Sequence, residues 1–215
     1  MKKKNTLFSL FLLFAVQLIG QQSYTHRTIL KTEPVHLASG QLNVWIEKHF
    51  SRRSAVEFAA GFVFSDYSDK ALLPDFIKKE QIQRTEGYVL RTNYRRYKNK
   101  IEQTESVSRY FQIDFFVKVI DYKPVHQQNY VIYGLKDVVG LSLNWGKPKI
   151  TSQFWVYDMY VGLGFRIKFY HTDRFVENQG NWVPAPAHQI TNVLPFIQAG
   201  VKLGKVIGDK KAISH

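Results

Sequence analysis

Residues 54–65 read SAVEFAAGFVFS, and their side chains alternate between two faces of an extended chain. One alternate set is bulky and apolar: Val56, Phe58, Ala60, Phe62 and Phe64. The other set places small residues around one acid: Ala55, Glu57, Ala59, Gly61, Val63 and Ser65. A period of two indicates a β-strand with one apolar face. Glycine and alanine on the second face indicate that this face points into a crowded space rather than open water.

Six further segments have the same alternation, namely residues 41–50, 88–97, 109–120, 138–145, 155–170 and 196–207. Residues 28–37 form an expected eighth strand, which Glu33-Pro34 weakens because proline is tolerated only at a strand start, an edge or a bulge. Trp45 and Phe116 are exceptions, since both large rings fall on the polar face. The sequence therefore predicts an all-β chain of eight strands.

The connections between these strands differ in length. Residues 50–53 and 146–149 form tight turns and 98–108 an intermediate link, whereas 65–87, 121–129 and 171–191 are longer and polar. Short links at one end and long links at the other, with an even strand count, are typical of outer-membrane barrels. We therefore expect an eight-stranded antiparallel transmembrane up-and-down β-barrel. The interior of so small a barrel is just wide enough for side chains to fill it.

The polar faces carry acids and bases on several strands, and these would pair inside such a barrel because buried charge needs a partner. The predicted charge network of the lumen comprises Glu47, Glu57, Arg91, Arg95, Asp114, Lys118, Asp158, Arg166 and Lys202. Within it we expect Glu57 to pair with Arg91 or Arg95. The apolar faces would contact lipid, with an aromatic girdle near the strand ends.

The first residues, MKKKNTLFSLFLLFAVQLIG, join three lysines to an apolar run, which is the layout of a secretory signal peptide. We expect a signal over residues 1–20, a barrel over 21–207 and a polar tail over 208–215. Removing the three lysines lowers the formal charge from +13 to +10. The chain has no cysteine, which excludes disulfides and thiolate metal sites. A basic exported chain favours phosphate-bearing lipids as neighbours and argues against nucleic acid.

The stretch GQLNVWIEKHFSRRSAVEFAAGF (40–62) resembles the first full hairpin of small outer-membrane barrels of Gram-negative bacteria, the OmpA/OmpX-like barrels. It is most similar to an uncharacterised group of such barrels, a domain of unknown function. Gly40, Glu47, Ser54 and Glu57 match that pattern, as do GLGF (162–165) and GVKLG (200–204) in the closing strands. The resemblance implies a fold and an outer-membrane location, but no activity. One departure is the polar tail GDKKAISH, since these barrels commonly end on an aromatic residue.

No motif for catalysis, metal binding or nucleotide binding is found. Histidines such as His171 are interpreted as loop or rim residues, and we expect no catalytic residues, metal or cofactor. In the first long loop, LLPDFIKKEQIQR (72–84) predicts a short helix that is either simply solvated or a contact surface for a partner or lipopolysaccharide. That contact surface would comprise Phe76, Ile77, Lys78, Lys79 and Arg84.

The expected function is that of a monomeric outer-membrane barrel with a plugged polar lumen, in a structural or adhesive role or as an accessory subunit of an envelope complex. Its expected partners are outer-membrane lipid and lipopolysaccharide, and also another envelope protein. Two alternatives remain open. One is a soluble periplasmic calycin-like barrel that binds an apolar ligand, and the other is a barrel enzyme that modifies lipid A.

Overall fold

The structure is a computed structural model, and it describes residues 28–51, 53–65, 85–98, 108–127, 130–151, 153–178 and 181–207. The predicted signal peptide (1–20), the loop contact surface (72–84) and the polar tail (208–215) lie outside the described residues.

Eight antiparallel strands close into one barrel in which each strand pairs with its neighbours in sequence and β1 pairs with β8. The strands are β1 (Thr28–Thr32), β2 (Gln41–His49), β3 (Ser54–Val63), β4 (Thr85–Tyr97), β5 (Tyr110–Gln127), β6 (Tyr130–Ile150), β7 (Trp155–Asn178) and β8 (Asn181–Ile207). One short helix, α1 (Pro34–Ala38), lies between β1 and β2. The predicted eight-stranded up-and-down barrel is confirmed.

The strands are staggered around the barrel. Stepping from Ile29 through the paired residues of β2 to β7 leads to Phe196 on β8, whereas Ile29 itself pairs with Val206. The two positions on β8 are 10 residues apart. Such a shift requires strands that tilt against the barrel axis, and with eight strands it leaves an interior that side chains fill.

Strand length increases along the chain, from 5 residues in β1 to 27 in β8. As a result β5 to β8 continue beyond the ends of β1 to β3 as a taller four-stranded sheet, called the tall sheet below. The predicted loops over 121–129 and 171–191 are therefore mostly wrong, since strand pairing continues to Gln127–Tyr130 and to Asn178–Asn181.

The predicted turn over 146–149 is also wrong, because β6 continues to Ile150 and the turn to β7 lies at 151–154. Pairing of β6 with β5 stops at Gly146, so Pro148 lies where β6 has only β7 beside it. Proline is tolerated at such an edge because one side of the strand makes no ladder bonds.

The expected first strand ends early. β1 stops at Thr32, and Pro34 begins α1, in which its fixed φ suits the first turn. Gly40, at φ +83°, then turns the chain into β2. The helix packs between β2 and β8, and Nδ2 of Asn43 lies 2.7 Å from Nδ1 of His36. The β1–β8 seam consequently has only five residue pairs.

The two faces of the strands are opposite in chemistry. Many large apolar side chains are exposed on the outside, among them Leu42, Ile46, Phe62, Leu90, Ile113, Phe115, Leu141, Leu143, Leu163, Phe165 and Ile197. The aromatic residues predicted near the strand ends are exposed as well: Tyr88, Tyr94, Trp145, Trp155 and Tyr157. The interior holds mostly polar and charged side chains, together with Trp45, which is fully buried.

Some inner-face positions have room only for glycine, because neighbouring side chains lie too close for a Cβ atom. A Cβ atom on Gly200 would lie 2.6 Å from a ring carbon of Tyr160, and one on Gly204 would lie 2.6 Å from Cγ of Lys31. Side chains of the directly paired residues on the neighbouring strands thus occupy the space that a larger residue would need at these two positions.

Candidate functional site

Three acids from different strands meet at the centre of the lumen. Glu47 on β2, Glu57 on β3 and Asp158 on β7 are fully buried, and one carboxylate oxygen of each lies within 4.8 Å of the others. Glu47 and Glu57 are direct cross-strand partners, so their proximity follows from the register of the first full hairpin. Three like charges at this distance repel one another strongly unless cations lie between them.

The ammonium group of Lys31 lies among these three carboxylates. Its Nζ contacts Glu47 and lies 2.9 Å from Oε1 of Glu57 and 3.0 Å from Oδ2 of Asp158. Lys31 stands on β1 with its side chain inside the barrel, where it is fully buried. The lysine therefore occupies the position that a metal ion would take between three carboxylates, and the protein supplies its own cation there.

Arg95 and Lys202 complete the charge balance. Arg95 Nη1 lies 2.6 Å from Oδ2 of Asp158 and 3.2 Å from Oε2 of Glu47, while Nη2 lies 2.8 Å from Oε2 of Glu57. Lys202 Nζ lies 2.7 Å from Oε2 of Glu57. Among the described residues this central cluster, defined here as Lys31, Glu47, Glu57, Arg95, Asp158 and Lys202, joins three acids to three bases.

Neutral side chains donate or accept further hydrogen bonds around the cluster. The hydroxyl of Tyr97 donates to Oε1 of Glu47 at 2.6 Å, and that of Tyr110 donates to Oδ1 of Asp158 at 2.7 Å. Asn93 Nδ2 donates to Oε2 of Glu57 at 2.9 Å, and Arg95 Nε donates to Oε1 of Gln112 at 2.7 Å. Buried ion pairs are tolerated when such bonds satisfy their remaining lone pairs and protons.

A second group lies beside the central cluster. Arg91 on β4 pairs with Asp114 on β5, and its Nη2 donates to Oε1 of Gln198 at 3.1 Å. The amide nitrogen of Gln198 in turn donates to Oγ of Ser142 at 2.6 Å and to Oδ1 of Asn144 at 2.5 Å. These bonds link β4, β5, β6 and β8 across the lumen.

Glu33 fixes the short helix to the barrel interior. Its carboxylate accepts a hydrogen bond from the hydroxyl of Tyr160 on β7, and Oε2 lies 3.1 Å from Nδ1 of His36 in α1. Glu33 is fully buried although it belongs to neither β1 nor α1. Through this contact the helix closes part of the wall above the end of β1.

The predicted lumen residues separate into two sets. Glu47, Glu57, Arg91, Arg95, Asp114, Asp158 and Lys202 meet in the two groups described above. Lys118 and Arg166 lie apart, on the inner face of the tall sheet; Arg166 packs 5.7 Å from the ring of Phe196. Arg95, rather than Arg91, is the partner of Glu57.

Sequence reasoning missed Lys31 and Glu33. Lys31 lies between exposed Leu30 and Thr32, so the period-two alternation of residues 28–32 places its side chain inside the barrel. Glu33 gave no such signal, because its burial depends on where α1 docks.

The cluster is closed rather than open to a substrate. Lys31, Glu47, Glu57, Arg95 and Asp158 are each no more than 2% exposed, and every one of them already contacts an opposite charge. A general acid or base must reach the proton that it transfers. In this arrangement the carboxylates bind the opposite wall of the barrel, so the geometry favours a structural plug.

Comparison with known proteins gives little beyond this geometry. The chain is similar to the crystal structure of a major outer membrane protein from Thermus thermophilus, with 9% sequence identity and a TM-score of 0.39 over 86% of this chain and 100% of that one. A likeness of this strength carries no functional argument. No protein-family profile and no curated protein sequence matches the chain. Within the described ranges, no helix is long and apolar enough to cross a membrane.

Proposed function

We propose that this chain is an outer-membrane β-barrel with a closed polar lumen, which serves as a structural or adhesive protein or as an accessory subunit of an envelope complex. No catalysis, metal or cofactor belongs to this function. The barrel is a monomer surrounded by outer-membrane lipid and lipopolysaccharide, and another envelope protein is its further partner.

The observation that carries this proposal is the inverted distribution of polarity. Ion pairs occupy the interior, while aliphatic and aromatic side chains form most of the outer face where the eight strands run side by side. A contiguous apolar surface of this extent is unfavourable in water and marks contact with a partner or a membrane. A closed barrel also leaves few unpaired backbone groups, which is the condition for crossing a bilayer with strands.

The calycin-like alternative needs the opposite arrangement, with the apolar face lining a ligand cavity. Here Phe62, Leu141 and Leu163 point outward, and the cluster around Lys31 fills the centre. The enzyme alternative needs a reactive group that a lipid can reach. Lipid A from a deletion strain, analysed by mass spectrometry, should be unchanged under our proposal.

Fractionation tests the location. We expect the protein in the outer-membrane fraction after a carbonate wash, and we expect unboiled samples to migrate differently from boiled samples because the closed barrel resists detergent. A protein released by carbonate, with identical migration before and after boiling, would refute the membrane assignment. Co-purification from detergent-solubilised outer membranes then tests for a protein partner.

A single substitution tests which face meets lipid. Leu163 is 57% exposed at the middle of β7, so Leu163→Arg should destabilise the folded state in vesicles by about 2–4 kcal/mol. Asn178→Arg adds the same side chain at the exposed tip of β7 and should cost little. Equal refolding yields for the two variants would show that the outside of β7 does not face the bilayer.

A further inference from the structure

The outside of the barrel is basic at one end. This end, called the turn end below, carries the turns at 50–53 and 151–154, which join β2 to β3 and β6 to β7. Its exposed and half-exposed described residues include no acid, but they include Lys48, Arg53, Arg96, Lys98, Arg109, Lys147, Lys149 and Lys205. The central cluster inside balances its own charges and so leaves this rim positive. Like charges around one rim add to a potential that attracts anions.

Three of these bases surround two aromatic rings on β7. Lys149 on β6 is the direct cross-strand partner of Tyr157, and Lys205 on β8 is the partner of Trp155. The Nζ atom of Lys205 lies 5.6 Å from the centre of the Trp155 ring. Lys147 lies two residues from Lys149 on the same outer face. These five residues are called the basic-aromatic patch below.

The strands at the patch are close enough for its lysines to share one anion. Adjacent strands lie about 4.8 Å apart, so Lys149 and Lys205, on either side of β7, start about 10–12 Å apart. Long, flexible side chains bring two ammonium groups together over such a span. Each ammonium group binds phosphate as a compact point charge with three donors.

The lysines of the patch are available to a ligand. Lys147, Lys149 and Lys205 are exposed, and no ion pair or side-chain hydrogen bond joins any of them to another residue of the described ranges. The contact of Lys205 with the Trp155 ring leaves its charge without a carboxylate. The anion that compensates these charges therefore comes from outside the described chain.

An apolar strip continues from the patch along the outside of β7. Met159, Val161 and Leu163 follow Tyr157 on the same face, and they are 58%, 52% and 57% exposed. The rings of Trp and Tyr combine an apolar body with a polar tip, so they favour the boundary between headgroups and acyl chains. A lipid whose headgroup lies at the patch places its acyl chains along this strip.

The turn end also indicates which leaflet meets the patch. Strand β1 begins there at Thr28, β8 ends there at Ile207, and short turns join β2 to β3 and β6 to β7. In outer-membrane barrels the short turns lie on the periplasmic side. The lipids of the periplasmic leaflet are phospholipids, whereas lipopolysaccharide occupies the opposite leaflet.

We propose that the basic-aromatic patch binds the headgroup of an anionic phospholipid in the periplasmic leaflet. Lys149 and Lys205 hold the phosphate between them, Lys147 adds positive potential, and the acyl chains lie along Met159 and Val161. Lysines and arginines beside a membrane attract anionic lipids in the same manner. This inference rests on the proposed membrane location, and it names the class of lipid that the outer surface selects.

The test is a binding titration of the purified full-length barrel in zwitterionic detergent, with phosphatidylglycerol and phosphatidylcholine of identical acyl chains as probes. We expect phosphatidylglycerol to bind about tenfold more tightly or better, because only its headgroup carries a net negative charge. Lys149→Gln should weaken phosphatidylglycerol binding about fivefold. The triple variant Lys147→Gln, Lys149→Gln, Lys205→Gln should lose the preference for phosphatidylglycerol. Lys149→Arg, which keeps the charge, should bind within about twofold of the wild type.

Arg53→Gln is the matched control. Arg53 lies in the turn between β2 and β3, across the barrel from β7, so its loss changes the net charge of the turn end equally without touching the patch. Its phosphatidylglycerol affinity should equal that of the wild type. Equal binding of the two phospholipids by the wild type, or equal losses in Arg53→Gln and Lys149→Gln, would overturn the proposal.

Further probes separate the sources of the anion. Lipid A or inorganic phosphate that binds as tightly as phosphatidylglycerol would overturn the phospholipid as the ligand. Equal binding of both phospholipids, together with loss of a co-purifying envelope protein from the triple variant, would assign the patch to an acidic protein instead. Every variant should keep heat-modifiable migration and resist the carbonate wash, so a failed lipid preference leaves the proposed function intact.

Discussion

At the residue scale, the central cluster is a set of charges that tolerate burial only together. Removing one partner of a buried pair leaves the other charge without compensation, whereas replacing both with apolar groups is often mild. Lys31 is the sharpest case, because one ammonium group contacts Glu47, Glu57 and Asp158 at once.

Lys31→Met keeps the length of the side chain but removes its charge. We expect a loss of about 3–5 kcal/mol in the free energy of unfolding, because the three carboxylates then keep only two of the three bases of the cluster, Arg95 and Lys202. Urea titration of the barrel refolded in vesicles measures this loss. Lys205→Met, at an exposed position, is the control, and a loss of similar size in both variants would contradict the role of Lys31.

The choice of partner for Glu57 is a second residue-scale prediction. Double-mutant cycles should give a coupling free energy of about 1–3 kcal/mol for Glu57→Gln with Arg95→Met, because the two charges lie 2.8 Å apart. The cycle with Arg91→Met should be additive within about 0.5 kcal/mol, since Arg91 pairs with Asp114. Stronger coupling to Arg91 than to Arg95 would mean that the register of the β3–β4 hairpin is wrong.

At the scale of elements, β8 changes character along its length. Residues Leu203–Lys205 pair with both β1 and β7, Val206 and Ile207 pair with β1, and the described residues before Leu203 pair with β7. The amide of Val206 donates to the carbonyl oxygen of Phe154 at 3.0 Å, on the side of β8 that faces β7. Successive amides along a strand point to opposite sides, so the amides of odd-numbered residues in β8 point toward β1 or toward the free edge. Pro195 therefore removes no ladder bond.

This alternation gives a prediction about proline. Val193→Pro should change stability little, because the amide of Val193 points to the free edge. Leu203→Pro should cost about 0.5–1.5 kcal/mol, because its amide faces Thr32 in the β1–β8 seam and proline removes a ladder hydrogen bond there. Midpoints of urea unfolding compare the two variants. Equal midpoints would indicate that β1 does not close the barrel.

The same elements show where sequence reasoning succeeds and fails. Period-two alternation located all eight strands and the inward position of Trp45, because pairing and facing are local properties of each strand. It failed for 121–129 and 171–191, where polar residues were interpreted as loops although they extend paired strands. A polar segment that extends a paired strand can have the same composition as a loop, so composition alone does not separate the two.

For the whole molecule, the account depends on which side of the barrel wall meets lipid. In the sequence, the glycines and acids on one face of the strands indicated that this face points into the barrel. A crowded interior favours small residues, and buried charges need partners. The charges on these faces also predicted a plugged lumen, but not the parts played by Lys31 on β1 and Glu33 beside α1, because both meet residues far along the chain.

Tryptophan fluorescence in vesicles of brominated lipid tests the central claim most directly. The chain has four tryptophans, of which Trp45 is fully buried in the lumen and Trp145 is half-exposed on the outside. One variant keeps Trp45 alone and another keeps Trp145 alone, with the other three tryptophans replaced by Phe. Brominated acyl chains should quench Trp145 strongly and Trp45 weakly. Stronger quenching of Trp45, or no quenching of Trp145, would contradict a barrel with lipid outside and charges within.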